Sequence, residues 1–323
     1  MMAMNKAMWA ARRIGTFILL CASLATGQAA AQEFPSKPLR LVVTQGAGTM
    51  TDSFARFIAE GMTPYLGKPV IVDNKPGAGN TLGLRYVAKE APADGYTFVL
   101  FTPTSAAMLP LTNKDLLFDP LKDLPFVIGL AEGRTVLVTS PKSQWKTFRE
   151  LFDYAKKNPG KLNYGTSAPF GTLIVETVLR KEGVEMVQVP YPAAPPFYLA
   201  LTAGDIHLGT VNEQVGAQMQ PIAVTGTTRA AAYPNAPTFA ELGYPFMPGV
   251  RFSLNVPVGV PKPAMDKLYS AASQAIRQQS VKDQFAKFQY VLIEQSAEVA
   301  NKLMQDEAKL FADIARQIGL KPQ

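Results

Sequence analysis

The sequence predicts an α/β protein built as two lobes with a ligand cleft between them. Apolar runs typical of buried strands alternate with amphipathic helical patterns, and short polar loops follow the strands in two separate series. The 323 residues exceed the usual size of one compact domain, which favours two. Ligands of open α/β sheets bind beyond the carboxyl ends of the strands, so we expect the loops of the two series to face each other.

The first strand, loop and helix form the strongest candidate for an anion site. The apolar run Leu39–Val43 ends in a loop of small residues, and the helix that follows has Thr51 or Asp52 as its expected N-cap. The free amides and the positive end of a helix attract anions. An ordinary βα turn is the alternative, because the loop lacks the Gly-Lys-Ser/Thr of a P-loop and the third glycine of a dinucleotide fingerprint.

Further strand-end loops extend this pattern. In the first series, polar residues 102–105 follow the predicted strand Thr97–Phe101, and in the second series residues 166–172 and 190–192 follow predicted strands. Capping boxes, in which a threonine is followed three residues later by a glutamate, predict helices after Thr147 and after Thr238. Ser296 is the expected cap of a last long helix.

The first 31 residues predict a cleaved secretory signal peptide. A basic start precedes an apolar stretch, residues 14–24, that is too short to span a membrane, and a run of three alanines follows as a cleavage pattern. We expect cleavage after Ala31 and a periplasmic protein that begins at Gln32. Cys21 does not predict a lipoprotein, because the leucine before it stands where a small residue is needed; an N-terminal membrane anchor is the alternative.

Composition excludes several classes of protein. Removing the leader takes away three basic residues and leaves 29 against 25 acidic ones, a net charge of +4 without a dense basic run, so nucleic acid is not an expected partner. The mature chain has no cysteine and a single histidine, so we expect no disulfide, no metal and no cofactor. A Ser-His-Asp triad could use only His207, and the Gly-x-Ser-x-Gly elbow is absent, so we expect His207 on a strand and no catalytic residue.

A set of motifs along nearly the whole mature chain resembles one family, the Bug receptors, which are periplasmic solute receptors of tripartite tricarboxylate transporters. The motifs are, in order, Phe34-Pro35-Ser36-Lys37-Pro38, Gly67-Lys68-Pro69-Val70, Asn74-Lys75-Pro76-Gly77-Ala78-Gly79-Asn80, Ala93-Asp94-Gly95-Tyr96-Thr97, Phe118-Asp119-Pro120-Leu121-Lys122-Asp123, Asn158-Pro159-Gly160-Lys161-Leu162-Asn163-Tyr164, Val189-Pro190-Tyr191, Ala223-Val224-Thr225 and Pro237-Thr238. Each motif is weak alone, and their order and spacing carry the resemblance.

The resemblance implies a fold, a division into domains and a function. Lobe 1 would comprise residues 32–132 and 251–323, and lobe 2 residues 133–250, in the two-lobed fold of periplasmic binding proteins. The chain would be a monomeric receptor that is not an enzyme. It would capture a small carboxylate in the cleft and deliver it to the membrane permease subunits of a tripartite tricarboxylate transporter.

The resemblance also implies which residues bind the ligand. The loop after the first strand, the facing loop of the second lobe and a few neighbouring positions would hold carboxylates through backbone amides, hydroxyl groups and bridging waters. These positions are Gln45, Gly46, Ala47, Gly48, Thr49, Met50, Thr51, Asp52, Thr104, Ser105, Ser167, Phe170, Gly171, Thr172, Tyr191 and Asn212.

Departures from the family's pattern leave the identity of the ligand open. The first loop contains Gly46-Ala47-Gly48 where the family usually has prolines and paired glycines, and a proline-rich stretch follows Tyr191. The segment after Asn212 is shorter than the family's. Val211 stands where aspartate is common, so we expect a ligand without an ammonium group, which would be buried there without a counter-charge.

Two other functions stay open at this level. The same fold could sense a ligand and pass its closed state to a two-component system. A secreted hydrolase or lyase would need a carboxylate base, and Asp52 is the single acidic residue in the candidate loops. At the start of a helix, however, an aspartate is more simply explained as a cap.

Overall fold

The computed structural model describes residues 34–191, 193–244 and 247–319, apart from the side chain of Ile318. The predicted signal peptide, residues 1–31, and Pro192 of the predicted loop 190–192 lie outside the described residues. The described chain forms two mixed β-sheets, each covered by helices. The predicted α/β class with two lobes is therefore confirmed.

Six strands form the first sheet, and they come from both ends of the chain. They are β1 (Leu39–Val43), β2 (Val70–Asn74), β3 (Thr97–Phe101), β4 (Phe126–Gly133), β10 (Val250–Asn255) and β11 (Val291–Ser296). Their spatial order is β11-β4-β10-β3-β1-β2. Strands β1, β2 and β3 are parallel, whereas β10 is antiparallel to both of its neighbours and β11 is antiparallel to β4.

Six helices cover this sheet. They are α1 (Met50–Leu66), α2 (Thr81–Arg85), α3 (Pro103–Thr112), α8 (Lys262–Arg277), α9 (Gln279–Lys287) and α10 (Ala297–Ile318). Helices α1, α8 and α9 bury their apolar sides against one face of the sheet, and α2, α3 and the first half of α10 pack on the other.

The second sheet uses only the middle of the chain. Its strands are β5 (Thr135–Thr139), β6 (Asn163–Thr166), β7 (Val187–Pro190), β8 (Leu208–Asn212) and β9 (Gln220–Val224), in the spatial order β7-β6-β8-β5-β9. Strands β6, β7 and β8 are parallel, and β5 is antiparallel to both of its neighbours. Its helices are α4 (Phe148–Lys157), α5 (Pro169–Glu182), α6 (Ala194–Ala203) and α7 (Glu213–Gly216).

The chain changes sheets at two places, and two helices, α3 and α10, contribute side chains to both cores. Strand β4 ends at Gly133 and β5 begins at Thr135, whereas the return runs from the end of β9 to the start of β10. Helix α10 contributes Met304 to the core beneath the first sheet and Phe311 to the core of the second. Helix α3 likewise contributes Leu109 to the first core and Met108 to the second, so each of the two helices is a further physical connection. The predicted limits of the lobes, at residues 132–133 and 250–251, remain a prediction.

Some local predictions are confirmed and others are wrong. The box after Thr147 caps α4, and Ser296 caps α10 as predicted. The box that begins at Thr238 forms both of its hydrogen bonds, but turns follow it instead of a helix. His207 lies just before β8 and not on a strand, with its Nδ1 bonded to Asn163. The sequence analysis did not predict α9 and β11.

Candidate ligand-binding site

A charged network fixes the loop between β1 and α1. The Asp52 carboxylate accepts hydrogen bonds from two nitrogens of Arg56, at 2.9 and 3.1 Å. It also accepts one from the Gly48 amide and one from Asn74 Nδ2, both at 3.0 Å. Asn74 donates to the Gln45 carbonyl at 2.9 Å as well. The network therefore ties the two ends of the loop to one carboxylate.

These partners keep Asp52 ionised. Burial opposes ionisation, but the bonds from Arg56, Gly48 and Asn74 outweigh it and hold the pKa of Asp52 below its usual value. Because every partner is a donor, both carboxylate oxygens are occupied. Asp52 thus organises the loop, and it has neither the free oxygen nor the raised pKa that a general base needs.

The N-cap of α1 is Thr49, not Thr51 or Asp52 as predicted. Its hydroxyl accepts the Asp52 amide at 3.3 Å and donates to the Gly46 carbonyl at 2.8 Å. The Gly48 amide donates to Asp52. The amides of Gly46, Ala47, Met50 and Thr51 have no hydrogen-bond partner in the described part of the chain. Four donors of the predicted loop are therefore available to an anion.

Thr104 and Ser105 lie in the first turn of α3 and not in a loop as predicted. The Thr104 side chain is fully buried, and its hydroxyl donates to the Gly249 carbonyl at 3.2 Å. Ser105 is only half-buried, and its hydroxyl has no partner among the described residues. Of the two predicted ligand residues, Ser105 is the one that can offer a side-chain group to the cleft.

The facing loop of the second sheet is held by packing instead of charge. Helix α5 begins at Pro169, so Phe170, Gly171 and Thr172 lie in its first turn and not in a loop as predicted. No side chain caps this helix, and the Phe170 and Gly171 amides have no partner in the described structure. The Thr166 and Thr172 hydroxyls are hydrogen-bonded at 2.6 Å, and Ser167 is half-buried with no bonded partner there.

A side-chain contact joins the start of α1 to the end of β8. Asn212 ends β8, and its Nδ2 lies 4.0 Å from the sulfur of Met50 at the start of α1, while its Oδ1 caps α7. Tyr191 follows β7 and is half-buried against Phe197, with 5.6 Å between the ring centres. All the predicted ligand residues thus lie at the carboxyl ends of parallel strands or in the helices that follow them. Their roles as ligand contacts remain predictions.

Val211 does not support the argument made from its position in the sequence. Its side chain is 4% exposed and belongs to the apolar core that contains Val136 and Phe197. It therefore packs beneath the second sheet and does not line the cleft. The expected exclusion of ammonium-bearing ligands loses its basis.

Each arginine near the cleft already has a carboxylate partner. Arg56 binds Asp52, Arg134 lies 3.4 Å from Glu213, and Arg251 lies 2.6 Å from Glu307. A ligand carboxylate would therefore meet amides and hydroxyls before it met a free cation. Within the described residues, no group of three or more His, Asp or Glu side chains could hold a metal ion, and no helix is long and apolar enough to cross a membrane.

Sequence reasoning missed the residues that support the site. The Asp52–Arg56 pair is an i,i+4 pair on a helix, a spacing that could have been read directly. Asn74 stood in a quoted motif but received no role. Thr210, which lies against Gly171, gives no local signal because the two residues belong to different elements.

Two α/β lobes, each with free amides at the start of a helix that follows a parallel strand, form the arrangement typical of two-lobed solute-binding proteins. Comparison with known proteins gives the family. Residues 54–320 match the family model described as tripartite tricarboxylate transporter family receptor, TctC. The chain is 34% identical to the UPF0065 protein in the gbd 5′ region of Cupriavidus necator, over 88% of this chain and 89% of that protein. It is 27% identical to the protein BugT of Bordetella pertussis, over 95% and 97%.

Solved structures agree with this assignment. A protein of R. palustris solved with adipate is 28% identical, has a TM-score of 0.80, and aligns over 90% of this chain and 100% of its own. MatC of Rhodopseudomonas palustris, solved with bound malate, is 26% identical with a TM-score of 0.76 over 87% and 99%. The chain belongs to the tripartite tricarboxylate transporter receptor family, as the resemblance to Bug receptors implied.

Proposed function

We propose that this chain is a periplasmic receptor that binds a small carboxylate between its lobes and delivers it to a membrane permease. The observation that carries the proposal is the pair of helix starts, α1 and α5, with free amides at Met50, Thr51, Phe170 and Gly171. Helix starts with free amides bind anions. The two R. palustris proteins solved with adipate and with malate support a carboxylate as that anion.

Amides alone can supply the required affinity. Micromolar binding needs about −8 kcal/mol. A hydrogen bond to a charged group contributes roughly 1.5–3 kcal/mol, so four to six bonds are sufficient before the cost of bringing the lobes together. The four amides and the hydroxyls of Ser105 and Ser167 offer that number.

Calorimetry with adipate, malate and succinate tests the proposal, with 1,6-hexanediol and 1,6-diaminohexane as matched controls that lack the carboxylates. We expect at least one carboxylate to bind with micromolar affinity and the controls not to bind. Binding of the diamine, or of no carboxylate, would refute the proposed ligand class.

Signal-peptide cleavage, oligomeric state and the membrane partner can each be tested separately. We propose cleavage after Ala31, which N-terminal sequencing of the periplasmic fraction checks, and a monomer, which light scattering checks. The receptor serves transport and catalyses no reaction, which the full occupation of Asp52 supports. Crosslinking in cells should capture a permease subunit, and capture of a sensor kinase in its place would favour signalling.

A further inference from the structure

Three charged side chains meet where the chain passes between the lobes. Arg251, the second residue of β10, lies 2.6 Å from Glu307 of α10, and both side chains are at most 7% exposed. Glu132, near the end of β4, lies opposite Arg251 in the β4–β10 ladder. The cluster therefore connects the strand that leaves the first sheet, the strand that returns to it and a helix that packs against both cores.

This cluster contains one more carboxylate than it has guanidinium groups. Two carboxylates face one guanidinium, so the group carries one net negative charge when both acids are ionised. A buried charge without a partner is costly. The Arg251 guanidinium is also incompletely used, since its buried Nη2 has no hydrogen-bond partner among the described residues. A proton on one carboxylate would make the cluster neutral.

Glu307 is the more deeply buried of the two acids, so the neutral form is favoured there. Burial raises the pKa of Glu307 to about 7, and the charge of Glu132 raises it as well, against the opposing effects of Arg251 and of Thr104. Thr104 is the contact from α3, which carries no charged residue. The half-buried Glu132 lies opposite Arg251 in the ladder.

Other charged groups on the surrounding elements are engaged elsewhere. On α10 itself, Asp306 pairs with Lys302 and Lys309 is exposed. On β11, Glu294 pairs with Arg277 on the opposite side of the sheet. The charged residues of α5 contact other partners, namely Glu176 with Tyr164, Arg180 with Gln317, Lys181 with Gly243 and Glu182 with Lys156.

Movement of the lobes must change this environment. The lobes are in contact in this structure, as the Met50–Asn212 approach shows. Separating them must shift α10 on at least one core, because Met304 packs in the first core, Phe311 packs in the second, and Glu307 lies between the two on the helix. Such a shift would admit water to the cluster. We propose that Glu307, Arg251 and Glu132 form a proton-dependent hinge, in which the arrangement with the lobes in contact binds one proton more than the arrangement with the lobes apart.

The consequence is that acid favours closure. Between the ordinary pKa of a glutamate and about 7, bringing the lobes together takes up a proton, so lowering the pH in this window shifts the population toward contact. If the proposed carboxylate binds between the lobes, its affinity should rise by up to about tenfold for each unit by which the pH falls within this window, because closure binds one proton. That second statement rests on the proposed function.

A distance measurement without ligand tests the hinge. The single cysteine of the sequence lies in the predicted signal peptide, so Glu60→Cys and Lys161→Cys in the mature chain give one spin label on each lobe at exposed positions. In this doubly labelled protein, called the parent, we expect a shorter mean distance between the two spin labels at pH 5 than at pH 8. Glu307→Gln, which imitates the protonated acid, should give the short distance at both pH values.

Two further variants make the test specific. Glu132→Gln removes a charge that raises the pKa of Glu307, so it should move the pH-dependent change to lower pH, and it serves if Glu307→Gln does not fold. Glu294→Gln, outside the cluster, should retain the parent's pH dependence. A parent distance that does not change with pH, a change that persists in Glu307→Gln, or a change that occurs at the same pH in Glu132→Gln as in the parent would overturn the proposal.

Calorimetry with adipate at pH 6.5, in two buffers of different ionisation enthalpy, adds a second readout. The parent should take up close to one more proton on binding than Glu307→Gln does, and equal uptake would contradict the link to ligand. If adipate does not bind either protein, the proposed ligand class fails, while the spin-label distances still decide the hinge.

Discussion

The two loops that face each other across the cleft are built on different physical principles. The first, between β1 and α1, is held by charged hydrogen bonds that converge on Asp52. The second, before α5, contains no charge and is held by a threonine pair and by close contact between Gly171 and Thr210. Both leave helix amides free. The same free amides can therefore be positioned by electrostatics or by packing, and we expect the first loop to be sensitive to loss of charge and the second to added volume.

The largest effect is expected from removing the charge that holds the first loop. Asp52→Ala leaves the Gly48 amide and Arg56 without their acceptor and should cost about 3 kcal/mol of unfolding free energy. It should also abolish carboxylate binding. Denaturant titration and calorimetry measure the two effects, with Glu60→Gln on the same helix as a control. Wild-type binding in Asp52→Ala would show that the network does not shape the site.

The contribution of Asp52 to the free energy of unfolding should fall as the pH is lowered. The pKa of Asp52 is lowered in the folded protein, so its stabilisation is present above the unfolded pKa, about 4, and is lost as the pH falls through the folded value. The stability gap between wild type and Asp52→Ala should therefore narrow below about pH 4. A gap that widens in acid would contradict the assigned network.

The second loop, before α5, should instead be sensitive to added side-chain volume. A methyl group on Gly171 would lie 2.2 Å from the Thr210 hydroxyl, so Gly171→Ala should cost about 2 kcal/mol of stability and displace the start of α5. Gly46→Ala in the first loop is the matched control, because nothing lies within 4 Å of its added carbon. Equal thermal shifts for the two variants would remove the distinction between the loops.

Backbone strain in the first loop gives a smaller effect. Gly48 has a φ of +82° and open space around it, so Gly48→Val should cost about 1–2 kcal/mol through conformation alone. Because the loop must shift to relieve the strain, we expect carboxylate affinity to fall by more than stability does. Calorimetry beside thermal denaturation separates the two, and unchanged affinity would argue against ligand contact with this loop.

The smallest effect is expected at the cap. Thr49→Ala removes the cap of α1 and the bond to the Gly46 carbonyl, at about 1 kcal/mol. Thr49→Ser retains the hydroxyl and should recover most of the loss. If the serine variant is as unstable as the alanine variant, the hydroxyl is not the stabilising group.

The sequence could predict the fold but not the details of the site. Strand and helix patterns are local, so the α/β class and the capped helices at Thr147 and Ser296 were accessible from spacing. The mistaken N-cap shows the limit, since Thr49, Thr51 and Asp52 are all good caps and the choice depends on where Asp52 finds partners. Asn74 and Thr210 reach the site from other elements, and Val211 faces a core that only the assembled sheet defines.

The central claim is that helix-end amides, not arginine side chains, hold a ligand carboxylate between the lobes. Co-crystallisation of the mature protein with adipate tests it most directly. We expect carboxylate oxygens at hydrogen-bond distance from the amides of Met50 and Thr51 or of Phe170 and Gly171, with Arg56 still bound to Asp52. A carboxylate bound directly to Arg56, Arg134 or Arg251, or seated outside the cleft, would contradict it.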